Sequence, residues 1–213
     1  MLQFSLAQMI GLLVVLLVAF PLHELAHALT ADYFGDDTPR LHGRLSLNPL
    51  THLDVFGSLT LVLVGFGWAK PVPVSEYNLQ RNWHYAPALV AFAGPLANFV
   101  LACLGGFLLS TGLFPAPLTA SRTIPTMYEL LYIFSLINFV LFFFNLIPLF
   151  PLDGEKILLN VLPYEWGVHL ERLRRFTYGP LIILVWVLPA LRIPVLTRLV
   201  FGPANWLLSL FIG

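Results

Sequence analysis

Apolar residues fall into long runs that polar segments separate. The first run, residues 4–22, holds no charged residue and is long enough to cross the roughly 30 Å hydrocarbon core of a bilayer as a helix. We expect this helix to continue through the polar residues that follow, as far as Gly35. Runs of similar length cover residues 86–112 and 127–150. The pattern therefore predicts three long membrane-spanning helices.

The remaining segments are shorter or irregular. Residues 53–67 are apolar but short, and the polar segment before them, 36–52, contains a short alternating run that is compatible with a strand. Residues 178–191 and 193–213 are apolar again and form either one broken hairpin or two crossings. We therefore predict an all-α polytopic membrane protein, with about four to six transmembrane helices and a small re-entrant or β element after the first helix.

The composition also indicates a membrane protein. Of the 213 residues, 58% are hydrophobic and 10% are charged, whereas a soluble domain carries roughly 25% charged residues. Charge this sparse cannot cover a water-facing surface, so lipid must cover most of the chain. We expect one intramembrane domain over residues 1–213, with its core in 1–160 and C-terminal membrane segments in 178–213.

Charge and cysteine content exclude several classes of partner and site. The formal net charge is zero, so no nucleic-acid partner is expected. Cys103 is the single cysteine, which excludes a disulfide within the chain and a cysteine metal cluster. The lipid bilayer is the partner that the composition implies.

Basic residues predict the orientation of the chain. If residues 53–67 dip into the membrane and return, 32–85 and 151–177 lie on the same side, and the loop 113–126, with Arg122, lies on the other. Basic residues favour the cytoplasm, so the first side is predicted to be cytoplasmic and the N-terminus outside. A short tilted crossing by 53–67 remains open. The basic residues on the predicted cytoplasmic side are Arg40, Arg44, Lys70, Arg81, Lys156, Arg172, Arg174 and Arg175.

The end of the first run carries the motif His23-Glu24-Leu25-Ala26-His27, which is HExxH. Residues four apart on a helix share a face, so the two imidazoles can reach one metal ion. A catalytic zinc takes three protein ligands and a water, and a carboxylate such as Glu24 can take the proton of that water. Ionisable groups at the end of an apolar helix are costly and usually functional. The alternative is that these residues are interfacial and cap the span.

Asp153 is the candidate for the third ligand. It follows Pro148 and Pro151 at the end of the third run, on the same predicted side as the histidines. Prolines break a helix, and non-helical backbone at membrane depth is tolerated only inside protein or beside a water-filled cavity. A carboxylate there can bind a cation and makes the buried cluster less costly. The alternative is that Asp153 caps the helix EKILLNVL, residues 155–162.

These motifs resemble those of the site-2 protease family of intramembrane zinc metalloproteases. HELAH at 23–27 is similar to the family's HExxH, and NLIPLFPLDG at 145–154 to its N-x-x-P-x-x-P-L-D-G signature. GPLAN at 94–98 is a third shared motif. The likeness extends over most of 23–160 and is to the minimal form of the family, with neither a PDZ nor a CBS domain.

The resemblance implies one zinc ion per chain, held by His23, His27 and Asp153, with Glu24 as the general base that deprotonates a zinc-activated water. It implies that Asn145 holds the substrate backbone, and Asn98 is a second candidate for that role. Each asparagine could instead form a hydrogen bond between helices.

The resemblance also implies the substrates and the location. It suggests a multi-pass protein of a bacterial or archaeal cell membrane that cleaves transmembrane segments of membrane-embedded proteins, as in regulated intramembrane proteolysis. A peptide must be locally extended for cleavage, and an exposed edge at 40–47 or 69–74 could hold it by pairing. His52 and Asp54 lie near this region and have no assigned role. The oligomeric state is not predicted.

Two other functions remain open. The chain could be a catalytically inactive relative that acts as a binding protein, although a structural zinc does not need Glu24. It could also be a metal transporter, although acidic residues do not follow several spans as an ion path would require.

Overall fold

A computed structural model describes residues 6–64, 67–117, 125–163, 165, 167–168, 172, 174, 176 and 178–213. Over these residues the regular structure is helical, which confirms the prediction of an all-α membrane protein. Three helices are long and apolar enough to cross a bilayer, namely Gln8–Tyr33, Ala86–Ser110 and Met127–Asn145. Arg122 and Arg175, which support the predicted orientation, lie outside the described residues, and the orientation stays a prediction.

The first helix, α1, changes its hydrogen-bonding pattern half-way along. It consists of an α-helical part, Leu6–Val14, a π-helical turn, Val15–Ala19, and a second α-helical part, Phe20–Tyr33. The part before the π turn packs against the third spanning helix, and the part after it packs against the second. A π turn inside an α-helix often lies close to a functional site, and here the HExxH residues follow it by one turn.

The predicted end of α1 is confirmed. Gly35 has a left-handed backbone conformation, with φ of 86°, and follows the last helical turn. Its N–H donates to the carbonyl of Asp32 at 3.0 Å, and the N–H of Asp36 donates to the carbonyl of Ala31 at 3.0 Å. These two bonds form a Schellman motif, for which glycine is the favoured residue.

The region 36–85 follows α1 and contains a 3₁₀ turn, Pro49–Thr51, and three short α-helices. These helices are α2 (Thr38–Leu41), α3 (Val55–Val64) and α4 (Glu76–Asn82). With 10 residues, α3 extends about 15 Å, which is half of the hydrocarbon thickness. The chain enters α3 at Leu53 and returns at Ala69, and these two residues form an antiparallel bridge. Because the chain before α3 and the chain after it are paired at this bridge, the segment 53–69 begins and ends at the same place, as a re-entrant segment does.

The predicted strand in 40–47 is wrong. These residues form the end of α2 and irregular backbone, and the Leu53–Ala69 bridge is the β-type pairing in the described part of the chain. The buried guanidinium of Arg44 explains the difference, since it occupies backbone carbonyls that a second strand would otherwise pair. It donates to the carbonyls of Thr51, Lys70 and Pro71, at 2.5, 3.4 and 3.3 Å.

The central pair of helices is α5 (Ala86–Ser110) and α6 (Met127–Asn145). A capping box between Thr126 and Glu129 begins α6. The two helices come close together at Gly105, where a Cβ would overlap the Oγ of Ser135. Small residues permit such close packing between helices in lipid.

The C-terminal part of the chain completes the bundle. After α7 (Asp153–Val161), an apolar helix α8 covers Gly179–Ala190, and α9 consists of a π turn, Thr197–Phe201, followed by Gly202–Ile212. Arg192 has a positive φ of 59° and lies between α8 and α9, so the predicted break in this region is confirmed. Helix α9 packs against α5 and α6. With the shorter α8 and α9, the described ranges hold five hydrophobic helices, not counting the re-entrant α3.

A buried carboxylate ties the end of α1 to the segment before α4. Asp36 accepts hydrogen bonds from the N–H and hydroxyl of Thr38, from the N–H of Ser75 at 2.7 Å and from Nδ2 of Asn78. Burial raises the pKa of Asp36, but the hydrogen bonds from Thr38, Ser75 and Asn78 outweigh it and hold this pKa below its ordinary value. The ionised carboxylate therefore stabilises the folded chain.

We expect Asp36→Ala to lower the free energy of unfolding by roughly 2–3 kcal/mol, because it leaves several donors of a charged acceptor unpaired. Thermal unfolding in detergent measures the change. The neighbouring Asp37 is exposed and makes no side-chain capping bond, so Asp37→Ala is the matched control.

The difference between wild type and Asp36→Ala should depend on pH. Because the pKa of Asp36 is lowered by folding, its stabilisation is complete above the ordinary aspartate pKa of about 3.9 and is lost as the pH falls further. A difference that stays constant from pH 7 down to the acid limit of the folded protein would contradict this account.

Candidate metal centre

Three potential metal ligands from distant parts of the chain converge in the bundle. Nε2 of His23 lies 3.1 Å from Nε2 of His27 and 3.1 Å from Oδ2 of Asp153. Nε2 of His27 lies 3.4 Å from the same carboxylate oxygen. All three residues are at most 9% exposed. They are thus buried within the bundle and do not face lipid headgroups.

The second ring nitrogen of each histidine fixes where its lone pair points. Nδ1 of His27 lies 2.7 Å from the carbonyl oxygen of Val90, which can only accept, so Nδ1 carries the proton. Nδ1 of His23 lies 2.6 Å from Oδ1 of Asn98. In the neutral form of both rings, two Nε2 lone pairs and a carboxylate oxygen therefore face each other.

This donor set fits a zinc ion. Three acceptors at 3.1–3.4 Å repel one another unless a cation lies between them. Zinc–ligand bonds of about 2.0–2.1 Å in tetrahedral geometry separate neighbouring ligand atoms by about 3.3 Å. Two imidazoles and one carboxylate are also a common protein ligand set of catalytic zinc, which keeps its fourth position open. His23, His27 and Asp153 would hold the ion.

The position of Asp153 is set by the proline-rich turn before it and by helix α7 after it. It is the first residue of α7, and the N-cap position belongs to Leu152, which makes no side-chain cap. The alternative role of Asp153 as the N-cap is therefore not adopted, and its carboxylate is available to the histidines. Gly154 follows, and a Cβ there would overlap the carbonyl oxygens of Leu146 and Ile147. Only glycine lets α7 begin this close to the proline-rich turn.

Gly94 of α5 forms one wall of the candidate site. A Cβ at this position would overlap Nε2 of both His23 and His27. The lack of a side chain thus leaves the space in which the imidazoles and a cation can meet. The GPLAN motif therefore contributes a glycine for space and, four residues later, an asparagine that contacts a ligand.

Glu24 lies beside this cluster in sequence and is buried to the same degree, with 9% exposed. Its Oε2 accepts a hydrogen bond from the backbone N–H of Val72 at 3.1 Å. The segment that returns from α3 therefore passes over the candidate general base. A backbone donor has no sequence signal of its own, and sequence reasoning missed this contact.

The two predicted substrate-binding asparagines have different surroundings. Asn98 is 1% exposed and uses both polar atoms of its amide inside the bundle, on His23 and on Asn138. Asn145 is half-buried at the end of α6, and its Nδ2 donates to the carbonyl of Leu141 at 3.0 Å. The carbonyl oxygen of the Asn145 amide accepts no hydrogen bond from the described residues. A substrate-binding role stays a prediction for both asparagines. Asn145 suits this role better than Asn98, because its amide oxygen is not used inside the bundle.

Sequence reasoning did not single out Asn138. It is fully buried in α6, and its Oδ1 accepts a hydrogen bond from Nδ2 of Asn98 at 3.0 Å. Its signal in the sequence is a polar residue inside an apolar run, seven residues before Asn145 and hence on nearly the same helix face.

His52 and Asp54 have structural contacts outside the cluster. The fully buried ring of His52 donates from Nε2 to the carbonyl of Ser46 at 2.8 Å. Oδ1 of Asp54 accepts from the N–H of Gly57 at 2.8 Å and so satisfies a free donor in the first turn of α3.

Comparison with known proteins gives one matching family and several relatives. The sequence profile of peptidase family M50 matches residues 11–175. YwhC from Bacillus subtilis, named as a zinc metalloprotease, is 39% identical over 214 residues, which are 99% of this chain and 94% of YwhC. No solved structure matches the chain.

More distant relatives carry names of the same kind. Rip2 from Mycobacterium tuberculosis, also named as a zinc metalloprotease, is 29% identical over 91% of this chain and 71% of its own length. Zinc metalloprotease MJ0392 from Methanocaldococcus jannaschii is 28% identical over 73% of this chain and 35% of its own length.

We expect Gly94→Ala to weaken zinc binding at least about tenfold, because the added methyl group would push the imidazoles apart. Zinc retention against a chelator of known affinity measures the effect. Gly179→Ala is the control, since a Cβ there would meet only an ordinary contact at 3.7 Å with Phe176. Equal zinc affinity of Gly94→Ala and wild type would show that the cation does not lie between these histidines.

Proposed function

Because the chain belongs to peptidase family M50, the site-2 protease family, we propose that it is an intramembrane zinc endopeptidase that cleaves transmembrane segments of membrane proteins. Family membership and the three spanning helices make it a multi-pass membrane zinc protease. The substrate class, the residue roles and the cytoplasmic position of the site are our proposals.

One observation carries the mechanism. Two imidazole lone pairs and a carboxylate oxygen meet within 3.4 Å in the bundle, and a second buried carboxylate follows His23 in sequence. The first group can hold a cation, and the second has no cationic side chain among its hydrogen-bond partners in the described part of the chain. A carboxylate that is not itself a metal ligand, next to a bound Lewis acid, is an arrangement suited to hydrolysis of a peptide bond.

Each residue then has a defined task. When bound, zinc supplies the Lewis-acid chemistry that lets water attack a peptide carbonyl near neutral pH. Glu24 takes the proton of the attacking water on one oxygen and passes it to the leaving amine, while the N–H of Val72 holds its other oxygen. Asn145 offers its amide carbonyl oxygen to the N–H of an extended substrate backbone.

The structure limits how a substrate can pair near Glu24. Of the two predicted edges, 40–47 is not a strand, which leaves 69–74. In that segment Pro71 and Pro73 have no N–H, and the N–H of Val72 is already used by Glu24. A full ladder with a substrate strand is therefore excluded along 71–73, and this segment is better suited to orienting Glu24.

Glu24→Gln tests the proposed function. We expect the variant to keep its zinc and to lose at least about 100-fold in cleavage rate, because glutamine cannot accept the proton. Metal analysis of the purified protein and cleavage of membrane peptides, identified by proteomics against wild type, give both quantities.

The alternatives give other results in the same pair of measurements. An inactive binding protein would release no cleaved peptides in the wild type either. A metal transporter would likewise show no cleavage, and its zinc flux would not require Glu24. Loss of zinc in Glu24→Gln would contradict the role of Glu24 as a base that is not a ligand.

Val72→Pro tests the backbone contact to Glu24. Proline removes the N–H donor, and the flanking Pro71 and Pro73 already favour the extended backbone that a third proline needs. We expect kcat to fall about tenfold or more with zinc retained, because Glu24 loses its fixed orientation.

Val72→Ala is the matched variant, since it shortens the same side chain and keeps the N–H. Its kcat should fall much less than that of Val72→Pro. If Val72→Pro turned over as fast as Val72→Ala, the contact would have no role in orienting Glu24.

A further inference from the structure

We propose that Asn98 and Asn138 form a relay that fixes the tautomer and orientation of His23, so that in the neutral ring the Nε2 lone pair faces the position where a zinc ion would bind. The two asparagines are positioning residues and do not touch the reacting atoms. This inference rests on the proposed zinc centre and gives Asn98 a task other than the predicted contact with substrate.

The relay begins at a group whose chemistry is unambiguous. Nδ2 of Asn138 lies 2.9 Å from the backbone carbonyl oxygen of Phe134, which can only accept a hydrogen bond. The amide of Asn138 is therefore oriented with its NH₂ toward Phe134 and its Oδ1 toward α5. This Oδ1 then accepts from Nδ2 of Asn98 at 3.0 Å.

The orientation passes from Asn98 to the metal ligand. Since Nδ2 of Asn98 faces Asn138, its Oδ1 faces His23 and must accept a hydrogen bond from that ring. The distance to Nδ1 of His23 is 2.6 Å, so Nδ1 carries the proton, and in the neutral ring Nε2 keeps its lone pair. Four groups in sequence thus determine one tautomer.

Among the described residues, the amides of Asn98 and Asn138 contact each other, His23 and the carbonyl of Phe134. Asn98 and Asn138 are 1% and 0% exposed, and the helices α5 and α6 that carry them lie in close contact at Gly105 and Ser135. A buried amide that lost its partner would remain unpaired, which is costly in an apolar bundle. Turning either amide around would place two acceptors or two donors against each other, so the geometry favours the one arrangement described.

The two histidines differ in how they are held. His27 donates to the backbone carbonyl of Val90, so no side-chain replacement removes its partner. His23 is instead held by the side chain of Asn98, which is held in turn by the side chain of Asn138. Substitutions can remove either partner. Groups that hold the second nitrogen of a histidine ligand typically change metal affinity by 10- to 100-fold when they are lost.

The experiment measures zinc affinity by chelator competition in Asn98→Leu, Asn138→Leu and wild type, all as full chains in detergent. We expect about 10- to 100-fold weaker binding for Asn98→Leu and a smaller loss of about tenfold or less for Asn138→Leu. The visible absorption bands of the Co²⁺-substituted proteins should shift in both variants, because the geometry at His23 changes. A change in packing away from the ligand would leave these bands in place.

Two further variants separate the relay from a general effect on folding. Asn98→Asp keeps an acceptor for Nδ1 of His23 but offers no donor to Oδ1 of Asn138, so it should recover part of the zinc affinity lost in Asn98→Leu. Asn205→Leu is the control for Asn138→Leu, since Asn205 also donates to the carbonyl four residues before it, that of Phe201, at 2.7 Å in α9. Its zinc affinity and Co²⁺ spectrum should match those of wild type.

The outcomes distinguish the relay from the proposed function. If wild type binds zinc and both leucine variants bind it equally well with unchanged Co²⁺ bands, the relay is wrong and the zinc centre stands. If Asn98→Asp binds as weakly as Asn98→Leu, an acceptor at this position does not matter and the relay is likewise wrong. If wild type binds no zinc, the zinc centre and the relay fail together.

Discussion

The structure depends on one electrostatic constraint, the meeting of three acceptor atoms within 3.4 Å inside an apolar bundle. When Nδ1 of each neutral imidazole carries the proton, neither the two Nε2 atoms nor the carboxylate can donate a hydrogen bond to the others. In a medium of low dielectric this arrangement is favourable only around a positive charge. The asparagine pair and the backbone acceptor at Val90 hold the second nitrogen of each ring, which directs these lone pairs inward.

Helix α5 organises the site although it contributes no ligand. Its Val90 carbonyl holds one imidazole, its Asn98 holds the other, and Gly94 between them leaves the space that the ligands need. These three positions are four residues apart and therefore lie along one face of the helix. The ligands themselves come from α1 and α7, so α5 acts as the template against which the two are aligned.

Much of this arrangement could be predicted from the sequence, because it rests on local patterns. The apolar runs gave the spans, Gly35 gave the end of α1, and the spacing of His23 and His27 on a helix placed both imidazoles on one side. The pairing of these histidines with Asp153 needed the topology as well, and the structure brings the three side chains together.

The remaining features could not be predicted, for two physical reasons. The donor to Glu24 is a backbone amide 48 residues away, and every residue except proline has such an amide. The partner of Asn98 is one of several polar residues in apolar runs, and only the packing of α5 on α6 shows which of them it meets. The alternation in 40–47 suggested a strand because the pattern does not reveal that Arg44 would occupy the neighbouring carbonyls.

The π turn at Val15–Ala19 has a geometric consequence for α1 as a whole. An α-helix advances about 100° per residue, and one additional residue in a wide turn rotates everything beyond it by about that angle. The two halves of α1 can thus present differently directed stripes, the N-terminal one to α6, as at Gly11 against Ile133, and the C-terminal one to α5. A continuous α-helix would have a single contact stripe and could not serve both neighbours equally well. The π turn therefore lets the N-terminal part of α1 pack against α6 while the C-terminal part directs the two imidazoles toward α5.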